Sequence, residues 1–462
     1  MDGPAAHCFV KEKIFADRRL DKRLVTTFDL LARHPAGSLP RGLSSRTDLI
    51  GGYRLFNNPK VSSHAIIAAH RRKTLARLAG SRGRVLLIHD TTTLDFSGLN
   101  VDGLGPVGNG NGRGLYAHHS LLVAPESRQV LGLMNQIIHQ GAALPEGGES
   151  RAQTRQRNNR SSQLWKRGVE DLPDLPAGVE CTDVSDRGSD VTEYMSYEIA
   201  AGRPFIVRSQ HNRRCVDETG GGDIEKLHTY LCGLAPAGKY RLTVGAEKGG
   251  TRSALMAVSF AKVQVLPPCQ PRGDHGEDPL PVWGVRVWEL PRPDGPGAQG
   301  PLLEWILLTN RPVPTMEAAR GVAEDYACRW MVEDFHKAQK TGCGVEALQM
   351  TTRHGLDNAI TLLSVLAVHV LMLRCLARDP QMRDAPARAH EDPLKVKLAA
   401  RASRHADWKR MTVWEYYIAV ARLGGYMLNP HKRPPGWIIL WRGYMRLEDM
   451  CHGARLQVER CV

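Results

Sequence analysis

Three acidic residues, far apart in a chain of 462 residues, have surroundings that suit metal-dependent chemistry. Asp90 and Asp186 each follow a short apolar run typical of a buried strand, and Glu333 lies in a stretch with helical periodicity. A carboxylate at the end of a buried strand is costly unless it is paired or binds a metal. Magnesium prefers oxygen ligands, and two ions about 3.5–4 Å apart can serve both the attacking and the leaving oxygen of a phosphoryl transfer. Either aspartate alone could simply cap a turn, so the prediction of a two-metal site depends on all three residues.

The residues around Glu333 form the most informative pattern in the sequence. At about 100° per residue, Tyr326, Arg329, Glu333, Lys337 and Lys340 share one face of a helix predicted over residues 315–340. An ordinary surface helix pairs opposite charges four residues apart, and Arg329 with Glu333 would satisfy that pattern. It does not require two further lysines and a tyrosine. The face therefore predicts a metal ligand beside cations that hold a phosphate backbone.

A sheet flanked by helices is needed to bring these residues together. Apolar runs after residue 84 predict strands over residues 85–90, 117–124, 130–140, 180–185 and 204–208. Helical patterns lie at 150–170 and 190–201, so strands and helices alternate and an α/β fold is favoured. Catalytic groups tend to lie outside the carboxyl ends of the strands in such sheets, which is where Asp90 and Asp186 stand.

Composition and hydrophobic periodicity divide the chain into three predicted parts. Residues 1–80 are helical and basic, residues 81–355 hold the catalytic core, and residues 356–462 are helical. Within the core, residues 211–301 carry strand-like pieces between Pro- and Gly-rich turns and predict a β-rich insertion.

Charge favours nucleic acid as the partner. The chain has 62 Lys+Arg and 48 Asp+Glu, a formal net charge of +14, and residues 1–84 alone hold 17 Lys+Arg against 6 Asp+Glu. Such asymmetry is typical of a nucleic-acid-binding segment, although a solvated helical face is the simpler alternative. The densest cluster is Arg18, Arg19, Lys22 and Arg23.

Several classes of protein are disfavoured. The ten cysteines include no Cys-x-x-Cys pair, which argues against a structural zinc site and fits a reducing cytoplasm. The apolar stretch at 359–377 is interrupted by His369 and Arg374, so we predict a buried helix and no membrane span. Residues 103–108 match G-x-G-x-x-G, the pattern of a dinucleotide-binding site. Such a site needs a helix after the motif, but this segment contains Pro106 and a predicted strand follows it. No nucleotide cofactor is therefore expected.

The spacing Y-(2)-R-(3)-E-(6)-K, formed by Tyr326, Arg329, Glu333 and Lys340, resembles the signature of the DDE transposases of bacterial insertion-sequence family four. The similarity is greatest to the hairpin-forming branch, and it runs in order from about residue 15 to residue 445. Further matching segments are Ile88-His-Asp-Thr-Thr, Asp186-Arg-Gly-Ser-Asp, Phe205-Ile-Val-Arg-Ser, Trp305-Ile-Leu-Leu-Thr, Ala421-Arg-Leu-Gly-Gly-Tyr and Gly52-Tyr-Arg-Leu-Phe-Asn-Asn-Pro.

The resemblance implies an RNase H-like catalytic core, a mixed sheet with helices, interrupted by the β-rich insertion. It makes Asp90, Asp186 and Glu333 the catalytic ligands of two Mg²⁺ ions, with Mn²⁺ as a substitute. It also implies a homodimer on paired transposon ends, with the C-terminal helices as the dimer contact, in the bacterial cytoplasm on the nucleoid. Trp305 would stack on a flipped base, and Trp330 would be a second wedge. The other DNA-binding residues that the resemblance implies are Tyr326, Arg329, Lys337, Lys340, Arg208 and Arg54. The basic cluster of Arg18, Arg19, Lys22 and Arg23 is added to them because of its charge.

Three alternatives remain at this point. A nuclease or resolvase with the same core would cut DNA without joining strands. A non-catalytic DNA-binding relative would act as an inhibitor, although its carboxylates would then have no use. A general RNA-binding module is disfavoured because the sequence has no aromatic ribonucleoprotein motif.

Overall fold

A computed structural model provides the structure of the chain. The residues it describes are 8–9, 13–33, 38–43, 45–80, 82–108, 110–142, 160–218, 223–224, 226–245, 251–268, 278–291, 302–378, 382–427 and 435–460. The first part of the helix predicted at 150–170 lies outside these residues, as do most of the Pro- and Gly-rich connections around 270 and 295.

Four helices form the N-terminal region: α1 (Arg18–Arg33), α2 (Leu39–Gly42), α3 (Arg46–Phe56) and α4 (Ser63–Leu78). In α1 the apolar stripe Leu24, Phe28 and Leu31 is buried, as its helical spacing predicts. Serine side chains cap α3 and α4, since Ser45 and Ser62 each accept a hydrogen bond from the first turn.

One mixed sheet of twelve strands follows. In its first half, β1 (Gly83–Asp95) pairs antiparallel with β3 (Gly112–Ala124), which also pairs with β2 (Gly105–Val107) and β4 (Gln129–His139). On its other side β1 runs parallel to β5 (Val179–Ser185), and β5 runs parallel to β6 (Phe205–Arg208). The strands predicted from apolar runs in this part of the chain are confirmed, and the Gly-rich segment 98–114 contains the additional short strand β2.

The sheet continues through strands inserted between β6 and the last strand. These are β7 (Cys215–Asp217), β8 (Asp223–Ile224), β9 (Gly238–Gly245), β10 (Thr251–Val265) and β11 (Leu280–Glu289). The last strand, β12 (Glu304–Thr309), lies between β6 and β11 and is antiparallel to both. The chain thus leaves the sheet's parallel centre, builds a β-rich extension and returns beside β6.

Helices cover both faces of the sheet. Helices α5 (Leu164–Glu170) and α6 (Thr192–Ala200) precede β5 and β6, and α7 (Leu227–Gly233) packs on β10 and β11. Helix α8 (Met316–Ala327) contacts β10, α9 (Trp330–Lys337) contacts β1, and α10 (Arg353–Arg378) packs on β4 and α4. In α10, residues 353–372 are apolar enough to cross a membrane by length and composition, but 89% of the most apolar window is buried inside the fold, which confirms the predicted core helix.

The C-terminal region contains α11 (Pro393–Ser403), α12 (Val413–Leu423) and α13 (Trp437–Arg460). Helix α12 begins with a capping box, in which Thr412 and Glu415 bond each other's backbone N–H groups. All three lie in the part of the chain, residues 356–462, that the sequence predicts to be helical.

The prediction of one continuous helix over residues 315–340 is wrong in two places. Tight turns interrupt it at Cys328 and Arg329, where N–H groups bond carbonyls three residues back, and α8 ends there while α9 begins at Trp330. After Lys337 the chain widens into a single π-helical turn, Ala338–Gly342. The local winding therefore departs from 100° per residue on both sides of Glu333.

Candidate active site

Asp90, Asp186 and Arg208 lie side by side on three neighbouring parallel strands. Asp186 directly follows β5 and Arg208 ends β6, whereas Asp90 lies inside β1, where the pairing with β5 stops, and not at the strand end that the sequence predicted. His89 pairs with Ser185 across β1 and β5, and Ser185 pairs with Val207 across β5 and β6. Each of the three charged residues is the next one along its strand. The predicted meeting of Asp90 and Asp186 at one edge thus follows from the register of the sheet.

Arg329 connects the strand edge to the helix that carries Glu333. Its Nη1 lies 3.2 Å from Oδ2 of Asp90, and its Nη2 lies 2.8 Å from Oε1 of Glu333. The Arg329 side chain is only 11% exposed, and the Asp90 side chain 15%. The structure therefore holds a guanidinium between two of the three predicted metal ligands.

The pKa of Asp90 is raised by its surroundings, which include the negative charges at this edge of the sheet. The Asp90 pKa is raised to about 6, mainly by burial and then by the charge of Asp186, while Arg329 lowers it and Glu333 has a smaller raising effect. The Asp90 carboxylate therefore interacts with both of the others. Their oxygens are the ligand type that Mg²⁺ prefers, and their surplus charge is what a divalent cation would neutralise.

The carboxylates do not form a closed cage in this arrangement. Among the residues that the structure describes, no three His, Cys, Asp or Glu side chains lie close enough together to hold a metal ion. The Asp186 carboxylate accepts the N–H of Gly188 at 2.9 Å, within the turn that follows β5. The donor set fits magnesium, whereas binding by Asp90 and Glu333 together requires Arg329 to leave its place.

The two lysines of the predicted face have different surroundings. Lys337 is exposed at the end of α9. Lys340 lies in the π turn, 3.4 Å from the carboxylate of Glu346, which also accepts the N–H of Asp95. Both stay near Glu333, although Lys340 is not on a regular helix.

The aromatic residues separate into a buried pair and an exposed ring. Trp305 is 5% exposed and Tyr326 is 2% exposed, and their ring centroids are 5.2 Å apart in an edge-to-face contact. Arg208 hydrogen-bonds Tyr326 and donates to the Glu304 carbonyl at 3.2 Å. Trp330 is 58% exposed, with the Arg329 guanidinium 5.4 Å from its ring.

A buried Ser–His–Asp chain lies on the opposite face of the same strands, and sequence patterns did not indicate it. His89 donates from Nε2 to Oδ1 of Asp183 at 2.8 Å, and its Nδ1 is 3.0 Å from the Ser120 hydroxyl. The atoms are those of a hydrolase triad, but all three residues are at most 1% exposed, so no substrate can reach them. With Arg203 bound to Asp183 at 2.7 Å, the chain joins β1, β3 and β5 beside Asp90 and Asp186.

A histidine pair lies on the same face of the sheet as Asp90. His119 pairs with Asp90 across β1 and β3, and its Nδ1 is 3.2 Å from Nε2 of His336, one turn after Glu333. Burial lowers the pKa of His336 to about 3, so the imidazole is neutral. The pair links β3 to α9.

Basic residues of the N-terminal helices differ in whether they pair with a carboxylate. Arg18, Lys22 and Arg54 are exposed. Arg19 pairs with Asp17 at 2.8 Å, and Arg23 pairs with Asp48 at 3.1 Å.

Two cations of α4, by contrast, turn inward onto the sheet. Arg71 donates to the Met134 carbonyl at 3.4 Å and Arg77 donates to the Leu131 carbonyl, both on β4. The basic face of α4 is therefore smaller than its sequence implies.

One comparison with known proteins concerns this N-terminal region. Residues 7–61 match the family described as Transposase DNA-binding. The match contains α1, α3 and the exposed Arg18, Lys22 and Arg54. It supports DNA as the partner of this region and a DNA-binding transposase as the kind of protein.

Proposed function

We propose that this protein is a cut-and-paste DNA transposase of the DDE type, most similar to the hairpin-forming branch of insertion-sequence family four. The main supporting observation is that Asp90 and Asp186 directly follow the last paired residues of the parallel strands β1 and β5, while Arg329 joins Asp90 to Glu333. Three carboxylates with cations beside them suit in-line phosphoryl transfer on a DNA backbone.

The strand order also supports an RNase H-like core. Strands β4, β3, β1, β5 and β6 lie side by side in that order, with β1, β3 and β4 antiparallel in sequence and β5 and β6 parallel to β1. The strands β7–β11 enter between β6 and β12, at the position proposed for the β-rich insertion. Helices α8 and α9 then return Glu333 to the edge that carries Asp90.

In the proposed reaction, Asp90, Asp186 and Glu333 would hold two Mg²⁺ or Mn²⁺ ions. Bound ions of this kind activate the attacking oxygen and stabilise the leaving one. Arg329, Arg208 and Lys337 bind the phosphates of the transposon end, and Tyr326 packs behind them against Trp305. Trp330, being exposed, is the side chain available to insert beside a displaced base.

Four phosphoryl transfers follow from this assignment. Water attacks the transposon end and leaves a 3′-OH, which attacks the opposite strand to form a hairpin. Water then reopens the hairpin, and the freed 3′-OH attacks target DNA. Two copies of the chain act on paired ends, on the nucleoid in the bacterial cytoplasm, with the C-terminal helices as the proposed dimer contact.

The experiment uses the full chain with duplexes taken from the DNA on either side of its gene. We expect cleavage and then strand joining with Mg²⁺, and loss of both in Glu333→Gln. Glu324→Gln on α8, an exposed partner of Arg320, is the matched control. Cleavage without joining would instead identify a nuclease or resolvase. Binding without cleavage would identify a non-catalytic inhibitor, and equal activity of Glu333→Gln and the wild type would remove Glu333 from the site.

A further inference from the structure

Helix α11, far along the chain from the transposase-like N-terminal region, presents a face made of cations. Ala399 and Ala400 are buried against the neighbouring helices, whereas Lys397, Arg401 and Arg404 are exposed. A step of four residues places Lys397 and Arg401 on one side of the helix, and Arg404 follows as its left-handed C-cap residue. Lys409 and Arg410, exposed in the turn that follows, extend the same segment.

These cations are not arranged as a solvated helix usually arranges its charges. Among the described residues, none of Lys397, Arg401 and Arg404 has a carboxylate within ion-pair distance; the acid of the following turn, Asp407, lies 4.0 Å from Arg410. Like charges at i,i+4 destabilise a helix by about 0.2–0.5 kcal/mol per pair. The fold therefore accepts a small repulsion along this face.

The inner side of the same helix shows the contrast. Lys395 is buried, bonds the carboxylate of Glu448 and lies 2.5 Å from the Tyr444 hydroxyl. The buried Lys395 thus has an acidic partner, whereas Lys397, Arg401 and Arg404 have none among the residues that the structure describes. An outside partner with regularly spaced negative charge would complete the face.

Duplex DNA has that spacing. The four steps from Lys397 to Arg401 advance the helix by about 6 Å, and Arg404 extends the cations past the end of the helix. Phosphates follow one another by about 3.4 Å of helix axis on each strand. Three flexible cations over this length can reach about three consecutive phosphates. Lys and Arg that contact only phosphates carry no sequence information, so such binding is independent of base sequence.

We propose that Lys397, Arg401 and Arg404 form a second DNA-binding surface, which holds duplex DNA by its phosphates without reading the sequence. The surface does not depend on the metal chemistry proposed above. It is separate from the N-terminal helices and gives the protein a second contact with DNA. This contact suits a duplex of any sequence.

The test compares the salt dependence of binding to a random-sequence duplex. In the full chain carrying Lys397→Glu, Arg401→Glu and Arg404→Glu, we expect the slope of log Kobs against log salt to become shallower by about 2 to 3. Affinity should fall about 10-fold or more near 100 mM salt. The milder pair Lys397→Gln and Arg401→Gln keeps good helix formers and should lower the slope by about 2.

The control reverses three exposed cations that already have acidic partners. Lys166, Lys262 and Arg320 pair with Glu170, Glu218 and Glu324, and changing them to Glu alters the net charge by the same amount. An equal loss in this control, or an unchanged slope in both α11 variants, overturns the proposal. The loss should also add to that of Arg18→Ala with Lys22→Ala, because distant sites act independently. A variant affected only on duplexes from the gene's flanks would show sequence-specific contact and contradict the proposed mode.

Discussion

Arg329 donates a hydrogen bond to the carboxylate of Asp90, 239 residues earlier in the chain, at 3.2 Å. The same guanidinium pairs with Glu333 at 2.8 Å, so one cation is shared by two of the three carboxylates at this edge. A DNA phosphate is a strong acceptor for a guanidinium and would compete with Asp90 and Glu333 for Arg329. Binding of the transposon end would then free the carboxylates to hold metal.

This contact predicts how metal affinity depends on Arg329. In Arg329→Ala, the DNA-free protein should bind Mn²⁺ more tightly than the wild type, about 5- to 100-fold for a coupling of 1–3 kcal/mol. In the wild type, transposon-end DNA should raise Mn²⁺ affinity by a similar factor. Titration calorimetry with Mn²⁺ measures both.

The control for this prediction is Arg320→Ala, which removes an equivalent i,i+4 pair with Glu324 on α8. Its Mn²⁺ affinity should match that of the wild type. If Arg329→Ala also leaves the DNA-free affinity unchanged, Arg329 does not compete with the metal.

Asp90 should make the DNA-free protein less stable as pH rises. Its folded pKa of about 6 is above the ordinary value of 3.8, because burial and the charge of Asp186 disfavour its ionised form. Ionisation therefore costs stability progressively between about pH 4 and pH 6, and the full cost applies above that range. Two pKa units correspond to at most about 3 kcal/mol.

The substitution Asp90→Asn tests this relation. It should raise the melting temperature at pH 7.5 and have little effect at pH 3, where Asp90 is largely protonated in both states. Thermal unfolding at the two pH values, without divalent metal, measures the difference. A variant that gains no stability at pH 7.5 would contradict the crowding of carboxylates at this edge.

His89 should position the catalytic edge without contacting DNA. Its removal leaves Asp183 buried without one partner, and we expect His89→Ala to lower the free energy of unfolding by about 2–4 kcal/mol. End cleavage should fall while DNA affinity, measured by gel shift, stays close to that of the wild type. His64→Ala, at an exposed histidine of α4, is the control. Stability equal to the wild type in His89→Ala would show that the buried chain does not hold β1 to β5.

The two tryptophans should behave in opposite ways. Trp305→Ala removes a buried ring and should cost about 3–5 kcal/mol of stability. Trp330→Ala removes a 58% exposed ring and should leave stability unchanged while impairing base displacement at the transposon end. Thermal unfolding and the fluorescence of 2-aminopurine placed near the cleavage site separate the two effects. A normal fluorescence change in Trp330→Ala would assign stacking to another residue.

In the N-terminal helices, an existing carboxylate partner should decide how much a cation contributes to DNA affinity. Arg18→Ala with Lys22→Ala should reduce the slope of log Kobs against log salt by about 2. Arg19→Ala with Arg23→Ala should reduce it less, because Asp17 and Asp48 already neutralise those side chains. Equal effects of the two pairs would show that DNA displaces both aspartates.

Much of the local structure could be predicted from the sequence. The apolar runs ending near Asp90 and Asp186 form strands β1 and β5, and the stripe in α1 is buried as its spacing requires. The helix around Glu333 was predicted as continuous, but it is broken at Cys328 and widened after Lys337. Periodicity specifies an average pitch, whereas packing against neighbouring elements sets the local winding.

The sequence by itself determined which residues could do chemistry and which segments become strands and helices, because side-chain type and spacing along the chain act locally. Only the tertiary structure decided that Arg329 lies between Asp90 and Glu333, that Trp305 is buried while Trp330 is exposed, and that His89 bonds Asp183. These relationships join residues far apart in sequence or depend on what packs over a side chain. They follow from strand register and from the burial of each face, which no local pattern encodes.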